Sequence, residues 1–202
     1  MLDWIVSTDI NIIRFFIDNL KNPVLDVIMH IITLFGEKGA FWIVCSLICL
    51  AFPRTRKMGL TIGLALIFGV VIGNGILKNV VMRPRPYTLD QFADIFKATG
   101  FPELSDWSFP SGHSLASFEA AVSIMFYHKK WGIAALVLAF CVAISRIYLI
   151  VHFPTDVLCG AILGTVFAVT AYFVVKALYK RFDLESKLLF PYEKRSKEKK
   201  AE

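Results

Sequence analysis

Apolar stretches rich in leucine, isoleucine and phenylalanine recur along this chain between short charged clusters, and that alternation limits most strongly what it can become. Cut at those clusters, the sequence yields six candidate spans at roughly 23–36, 38–53, 57–81, 111–128, 131–151 and 153–179. A bilayer core asks for about 20 apolar residues per helix. The first two spans are short by that measure and either begin in neighbouring polar residues or do not cross fully. Hydrophobic residues make up 56% of the 202 positions and charged residues only 19%, against about a quarter in soluble domains. With a mean hydropathy of +0.62, this is more apolar surface than one small globular core can bury. The expected fold is all-α, an integral membrane bundle of six transmembrane helices over 23–181. Residues 3–20 mix Trp4, Ile5, Phe15 and Phe16 with Asp3, Asp9, Arg14 and Asp18, too many charges for a span, so 1–22 is expected to be an N-terminal interfacial helix. The N-terminus also lacks the basic region and small-residue cleavage site of a signal peptide.

Orientation follows from the basic clusters. Arg54/Arg56/Lys57, His128/Lys129/Lys130 and Lys180/Arg181 fall at every second helix end, and the positive-inside rule puts all three in the cytoplasm. Both termini are then cytoplasmic, while Glu37/Lys38, the long segment 82–110 and the 151–153 junction lie outside. The net charge of +6 is not spread evenly: from Lys180 onward, into a charged tail expected at 182–202, the chain carries eight basic and five acidic residues. No basic stripe with interleaved aromatics accompanies it, so nucleic acid is not an expected partner; attraction to anionic lipid headgroups is the simpler account. Cys45, Cys49, Cys141 and Cys159 all sit in apolar runs and read as packing residues rather than a disulfide framework or metal site. Gly59/Gly63, Gly69/Gly73 and Gly160/Gly164 are small-xxx-small pairs suited to close helix contact. His30 reads as a hydrogen-bonded structural histidine and His128 as part of a solvated turn.

The outward ends of the spans carry a different set of side chains. Lys78 lies at the end of the third span, Arg85-Pro86 follows seven residues later, Phe109-Pro110-Ser111-Gly112-His113 opens the fourth, and Ser145-Arg146 with His152 and Asp156 surrounds the junction of the fifth and sixth. Any one of these could be a snorkelling cation or a structural histidine. Two histidines, three cations and a carboxylate at separate helix ends on one side are not explained that way. Ser111-Gly112 at a helix N-terminus offers N–H groups to an anion, with glycine permitting close approach. His152 and Asp156, four apart at the start of a helix, form a nucleophile and the carboxylate that orients it. His113, titrating near neutral pH, suits a general acid and base. Lys78, Arg85 and Arg146 would neutralise the oxygens of a transferring phosphoryl group. No metal and no cofactor is expected, since a divalent-ion site would need a carboxylate cluster and Asp156 is the only acid in the constellation.

In residues and spacing these positions resemble the three-part signature of the type-2 phosphatidic acid phosphatase superfamily, K-x6-R-P, P-S-G-H and S-R-x5-H-x3-D. Every signature position matches, over 78–156, and the six-span layout extends the likeness. The resemblance implies a metal-independent membrane phosphatase working through a phosphohistidine. His152 would be the nucleophile, Asp156 its orienter, His113 the acid and base, and Lys78, Arg85, Ser111, Gly112 and Arg146 the phosphate binders. Arg83 stands outside the signature without an assigned role, and Glu119, six residues inside the fourth span, must be neutral, paired or facing a cavity. The compact chain resembles bacterial polyprenyl-diphosphate phosphatases, which makes undecaprenyl diphosphate the leading substrate; phosphatidylglycerol phosphate and phosphatidate are alternatives. Transfer to another lipid or a sugar, and a non-enzymatic lipid-binding role, are competing readings. The apolar residues of 87–109 either rest on the headgroup boundary or cap the bundle. The oligomeric state is unknown.

Overall fold

A computed structural model describes residues 2–182, so the charged tail expected beyond 182 lies outside the described residues. The chain forms nine α-helices among those residues and no strand: α1 (Leu2–Leu20), α2 (Pro23–Leu34), α3 (Ala40–Ala51), α4 (Arg56–Phe68), α5 (Lys78–Val81), α6 (Asp90–Ala98), α7 (Gly112–Met125), α8 (Lys129–Tyr148) and α9 (Pro154–Phe182). A π-helical stretch, Gly69–Leu77, joins α4 to α5 without a break, and short 3-10 turns cover Glu37–Gly39 and Pro86–Thr88. Four helical runs among the described residues are long and apolar enough to cross a membrane: Pro23–Ala51, Arg56–Thr88, Lys129–Tyr148 and Pro154–Phe182.

The middle of the bundle is built around α7, which packs against α8, α9 and α4. Ser114, Ser117, Glu119 and Ser123 are buried on it beside Leu115, Phe118, Ala120 and Ala121. A helix shielded on several sides by other helices need not be apolar throughout, and at 14 residues this one is also shorter than the four long apolar runs. Small residues bring the backbones together. A methyl at Gly164 would lie 2.5 Å from the Leu115 carbonyl oxygen, and one at Gly59 2.8 Å from that of Ser46. The α7–α9 and α3–α4 contacts are therefore backbone to backbone, as small residues allow where lipid gives no hydrophobic drive to association.

The segment 23–51 departs from the expectation of two crossings. Asn22 caps α2, accepting from Val24 N and Leu25 N, and its own backbone N–H donates to Tyr148 Oη at 3.3 Å. At the other end of the same helix, Thr33 Oγ1 accepts from Arg146 Nη1 at 2.6 Å. Arg146 and Tyr148 are neighbours at one end of α8, so both ends of the 12-residue α2 are tied to the same end of the bundle. Lys38 and Gly39 then turn the chain through left-handed backbone (φ 49° and 66°) into α3. The chain 82–110 is likewise more structured than a loop. Phe92 and Phe96 of α6 are buried with Tyr87, Ile13 and the run Tyr148–Val151 in a second hydrophobic cluster, so these aromatics cap the bundle, while Trp107 stays 40% exposed.

Candidate active site

The helix ends on one side of the bundle deliver the site. The continuous α4–π–α5 run carries Lys78 to its last turn and stops at Met82, whose left-handed conformation (φ 47°) ends the helix. Two prolines keep the following Arg83-Pro84-Arg85-Pro86 extended; Arg85 has φ −85° and ψ 154°. Ser111 caps α7, accepting from Ser114 N at 3.4 Å, and its own N–H donates to the Asp156 carbonyl at 3.1 Å, joining the start of α7 to the start of α9. Between α8 and α9 the chain reverses at Ile150, a β-branched residue held at φ 58° and fully buried. That conformation is strained for such a residue and persists because the second cluster encloses it. The reversal brings the backbone N–H groups of Val151 and His152 onto the Arg146 carbonyl at 3.2 and 3.3 Å.

A cavity of about 440 Å³ opens between these ends, lined by Lys78, Arg85, Gly112, His113, Arg146 and His152. Six of the eight expected site residues therefore meet at one space. The other two stand behind it: Ser111 is buried under the start of α7, and Asp156 lies behind His152 with no exposure. His152 Nε2 faces Arg85 Nη1 at 3.2 Å, while Nδ1 lies 3.4 Å from Ser108 Oγ. A guanidinium can only donate, so Nε2 carries a lone pair toward the cavity and the ring proton belongs on Nδ1. Burial, with Arg85, Arg146 and Lys78 nearby, drives the His152 pKa well below that of a free histidine, favouring the neutral imidazole.

The expected direct bond between His152 and Asp156 is not what the structure holds. Nδ1 and Oδ2 are 3.8 Å apart. Ser108 Oγ donates to Asp156 Oδ2 at 2.5 Å and lies within reach of the ring, and Phe153 N donates to the same oxygen at 2.9 Å. The hydroxyl has one proton; by donating it to the carboxylate it turns a lone pair toward Nδ1–H and relays the orientation.

Nor is Asp156 the only acid here. Asp106 takes hydrogen bonds from Lys78 and from Arg85 Nη2, the second at 2.6 Å. Burial opposes its ionisation, but the hydrogen bond and charge of Lys78 and the adjacent Arg85 outweigh it and hold the carboxyl down at about 2. Glu37 Oε2 stands 3.3 Å from His113 Nε2, in an orientation that leaves that nitrogen without a hydrogen bond among the described residues. Gly36 makes this approach possible, since a methyl there would lie 2.6 Å from His113 Cδ2. Arg146, fully buried, has one partner in Thr33 and an Nε with none among the described residues. Deeper in the cavity stand Asn74 and Glu119; Asn74 Oδ1 and Glu119 Oε1 likewise lack partners among the described residues. Of the three placements open to Glu119 from sequence, facing a cavity is the one observed.

Sequence reasoning missed Asp106, Ser108, Glu37, Asn74 and Thr33 as site residues. Asp106 and Ser108 had a usable signal, as polar residues immediately before the Phe109–His113 run. Glu37 and Thr33 had none, because only the turn after α2 brings them to the site.

Comparison with known proteins agrees with this arrangement. Residues 55–180, more than half of the chain, match the PAP2 superfamily. An undecaprenyl-diphosphatase from Sulfolobus acidocaldarius is 32% identical over 142 residues, 70% of this chain and 66% of that protein. Phosphatidylglycerophosphatase B from Bacillus subtilis is 33% identical over 178 residues, 81% of each. Among solved structures, a transmembrane PAP2-type phosphatidylglycerolphosphate phosphatase from Bacillus subtilis superposes with a TM-score of 0.66 at 31% identity, covering 87% of this chain and 86% of that one. With the family match spanning the helices that carry the cavity and relatives above 30% identity along most of the chain, the protein belongs to the PAP2 superfamily, as a membrane enzyme that hydrolyses lipid phosphates.

Proposed function

We propose that the protein removes phosphate from a polyprenyl diphosphate of the undecaprenyl class through a phosphohistidine, without a metal ion. One observation carries the mechanism: Nε2 of the buried His152 faces a cavity that Lys78, Arg85 and Arg146 also line. The phosphoryl group would sit among Lys78, Arg85, Arg146 and the start of α7 at Gly112, which balance its charge and hold it for in-line attack; Ser111 donates its N–H to the Asp156 carbonyl and caps the helix from behind. Nε2 bonds to phosphorus as the bond to the lipid-side oxygen breaks, and His113 gives that oxygen its proton. His113 then takes a proton from water, whose oxygen attacks the phosphohistidine, releasing inorganic phosphate and restoring His152. The choice of substrate is supported by the likeness to an undecaprenyl-diphosphatase; the comparable likeness to a phosphatidylglycerophosphatase makes phosphatidylglycerol phosphate the comparator. Phosphate release by the purified enzyme from both lipids in detergent with a chelator, with acid-labile, base-stable labelling of the protein in a quench, tests the reading. Turnover of neither lipid, or strict dependence on added magnesium, overturns it.

The basic clusters support an extracytoplasmic site. Arg54/Arg56/Lys57 join α3 to α4, His128–Lys130 join α7 to α8, and Lys180/Arg181 end α9, each at the opposite helix ends from the site. By the positive-inside rule the site faces outward. With α2 held at the site end by both its termini, Pro23–Ala51 makes one crossing rather than two. Asp9 and Arg14 of α1 bond to Thr155 and Gln91 at that same end, so α1 lies along the outer surface and the N-terminus is outside, unlike the cytoplasmic placement expected from six spans. Cysteines at Ser7 and Asp94 are expected to react with an impermeant thiol reagent in intact cells, and one at Thr55 only after lysis. Labelling of Thr55→Cys before Asp94→Cys overturns the sidedness.

A further inference from the structure

Behind His152, on the side away from the cavity, lies a charged cluster that the phosphate-binding set does not include. Arg83 Nη1 donates to Asp156 Oδ1 at 2.6 Å and to Thr155 Oγ1 at 2.7 Å, while Nη2 donates to Asp9 Oδ2 at 2.7 Å. The Arg83 guanidinium carbon stands 3.9 Å from the centre of the Phe153 ring. Asp9 comes from α1, well outside the family-matched segment that starts at residue 55. Its Oδ1 accepts from Thr155 N at 2.9 Å and its Oδ2 from Thr155 Oγ1 at 2.5 Å. Asp9 is 1% exposed and Asp156 is not exposed at all. A buried carboxylate this closely bonded is costly unless its partners are kept, and none of Asp9, Arg83 and Thr155 lines the cavity.

We propose that Arg83 and Asp9 are positioning residues for phosphoryl transfer: Arg83 engages one oxygen of Asp156 so that the other serves Ser108 and the His152 ring, and Asp9 holds the Arg83 fork in place. Asp156 has two oxygens and they are divided. Oδ1 goes to Arg83; Oδ2 goes to Ser108 and Phe153 N. Without Arg83 the carboxylate is free to rotate and the Ser108 relay loses its fixed acceptor. Without Asp9 the guanidinium loses the partner that fixes its second nitrogen. A planar fork with separate donors is required, because three acceptors in different directions are met at once and a single ammonium cannot reach them all. The N-terminal helix would thus contribute to turnover without approaching the substrate.

This inference rests on His152 as the nucleophile, so His152→Ala is measured alongside; turnover by that variant sinks the parent reading and leaves the present one without a subject. The test is kcat, KM and the pH profile of kcat for full-length Asp9→Asn, Arg83→Gln and Arg83→Lys in detergent, with undecaprenyl diphosphate. Expected are a fall in kcat of about tenfold to a hundredfold for Arg83→Gln and a smaller one for Asp9→Asn, with KM within about twofold. The acid limb of the profile, where His152 gains its proton, moves in opposite directions. Losing the Arg83 cation shifts it to higher pH, and losing the Asp9 anion shifts it lower, while Arg85, Lys78, Arg146, Asp106 and His113 stay the same around the ring. Arg83→Lys keeps the limb near its original pH yet does not recover kcat. A purely structural role predicts losses without opposite limb shifts. Should Arg83→Gln fail to fold, as judged by size-exclusion profile, Asp9→Asn and Arg83→Lys carry the test. Wild-type kcat in folded Asp9→Asn and Arg83→Lys, or limbs that do not separate, overturns the proposal.

Discussion

The guanidiniums on the two sides of His152 are held by different kinds of partner. Arg83, at the back, meets two fully buried carboxylates and a hydroxyl in a closed set. Arg85 and Arg146, at the front, meet less negative charge: Arg85 is closely hydrogen-bonded, but its one carboxylate partner, Asp106, is half-exposed and shared with Lys78, the others being backbone carbonyls and the His152 ring, and Arg146 has one threonine hydroxyl. Positive charge short of carboxylates is available to an anionic ligand, and positive charge matched by them is available only to the protein. The contrast separates cations that bind from a cation that builds, which sequence alone does not do, since Arg83-Pro84 and Arg85-Pro86 are written almost identically.

The largest effect that would test the contrast comes from its centre. His152→Ala should cut phosphate release by about ten-thousandfold or more while leaving the fold intact, because both sides are organised around that ring. Turnover near wild type in a folded variant ends the account. Next is the relay: Ser108→Ala should lower kcat by roughly thirtyfold with little change in KM, since a buried charge-assisted bond is lost and the ring loses its guide. An unchanged kcat would show that Asp156 reaches His152 directly once substrate is bound. Third is Gly36→Ala, whose methyl must displace His113; about tenfold in kcat is expected from so small a group, and a neutral result would mean the α2–α3 turn yields freely.

The smallest expected effect is at the front edge. Asp106→Asn removes the carboxylate that pairs with Lys78 and Arg85 and competes with an anion for them, so vanadate should inhibit about threefold to tenfold more tightly. The sign with pH is fixed by its depressed pKa of about 2. The ion pair is fully present above the ordinary carboxylate range and is lost only as pH falls through about 2. Between pH 5 and 9 the ratio of mutant to wild-type inhibition constants should therefore stay flat, and a ratio that changes across that interval would assign the competition to another group.

The membrane character, the approximate extents of α8 and α9 and the meeting of six expected residues at one cavity were legible in the sequence. Apolar runs longer than a bilayer are unambiguous, and motif residues at helix ends are placed by the helices themselves. The fate of 23–51 was not legible. Both short spans are apolar, and only the distant bonds of Asn22 and Thr33 to α8 show which end α2 belongs to. The division of labour between Arg83 and Arg85 was hidden for a similar reason. In regular extended backbone Arg83 and Arg85, two positions apart, would share one side; that they divide is decided by their distant partners, Asp9 and Asp156 for Arg83 and Asp106 and the Val151 carbonyl for Arg85.

The bonds of Asp9 to Thr155 bridge 146 positions of chain. At ordinary rates of translation the two residues leave the ribosome on the order of ten seconds apart. Until Arg83 emerges, 74 positions on, Asp9 is an unmatched carboxylate beside a membrane, tolerable in the headgroup region and expensive in hydrocarbon. The closing event is the arrival of the 152–156 stretch, which brings His152, Asp156 and the last partner of Asp9 together. A nascent chain therefore carries its front cations before this stretch exists, and the cluster behind His152 closes only when its two distant ends meet.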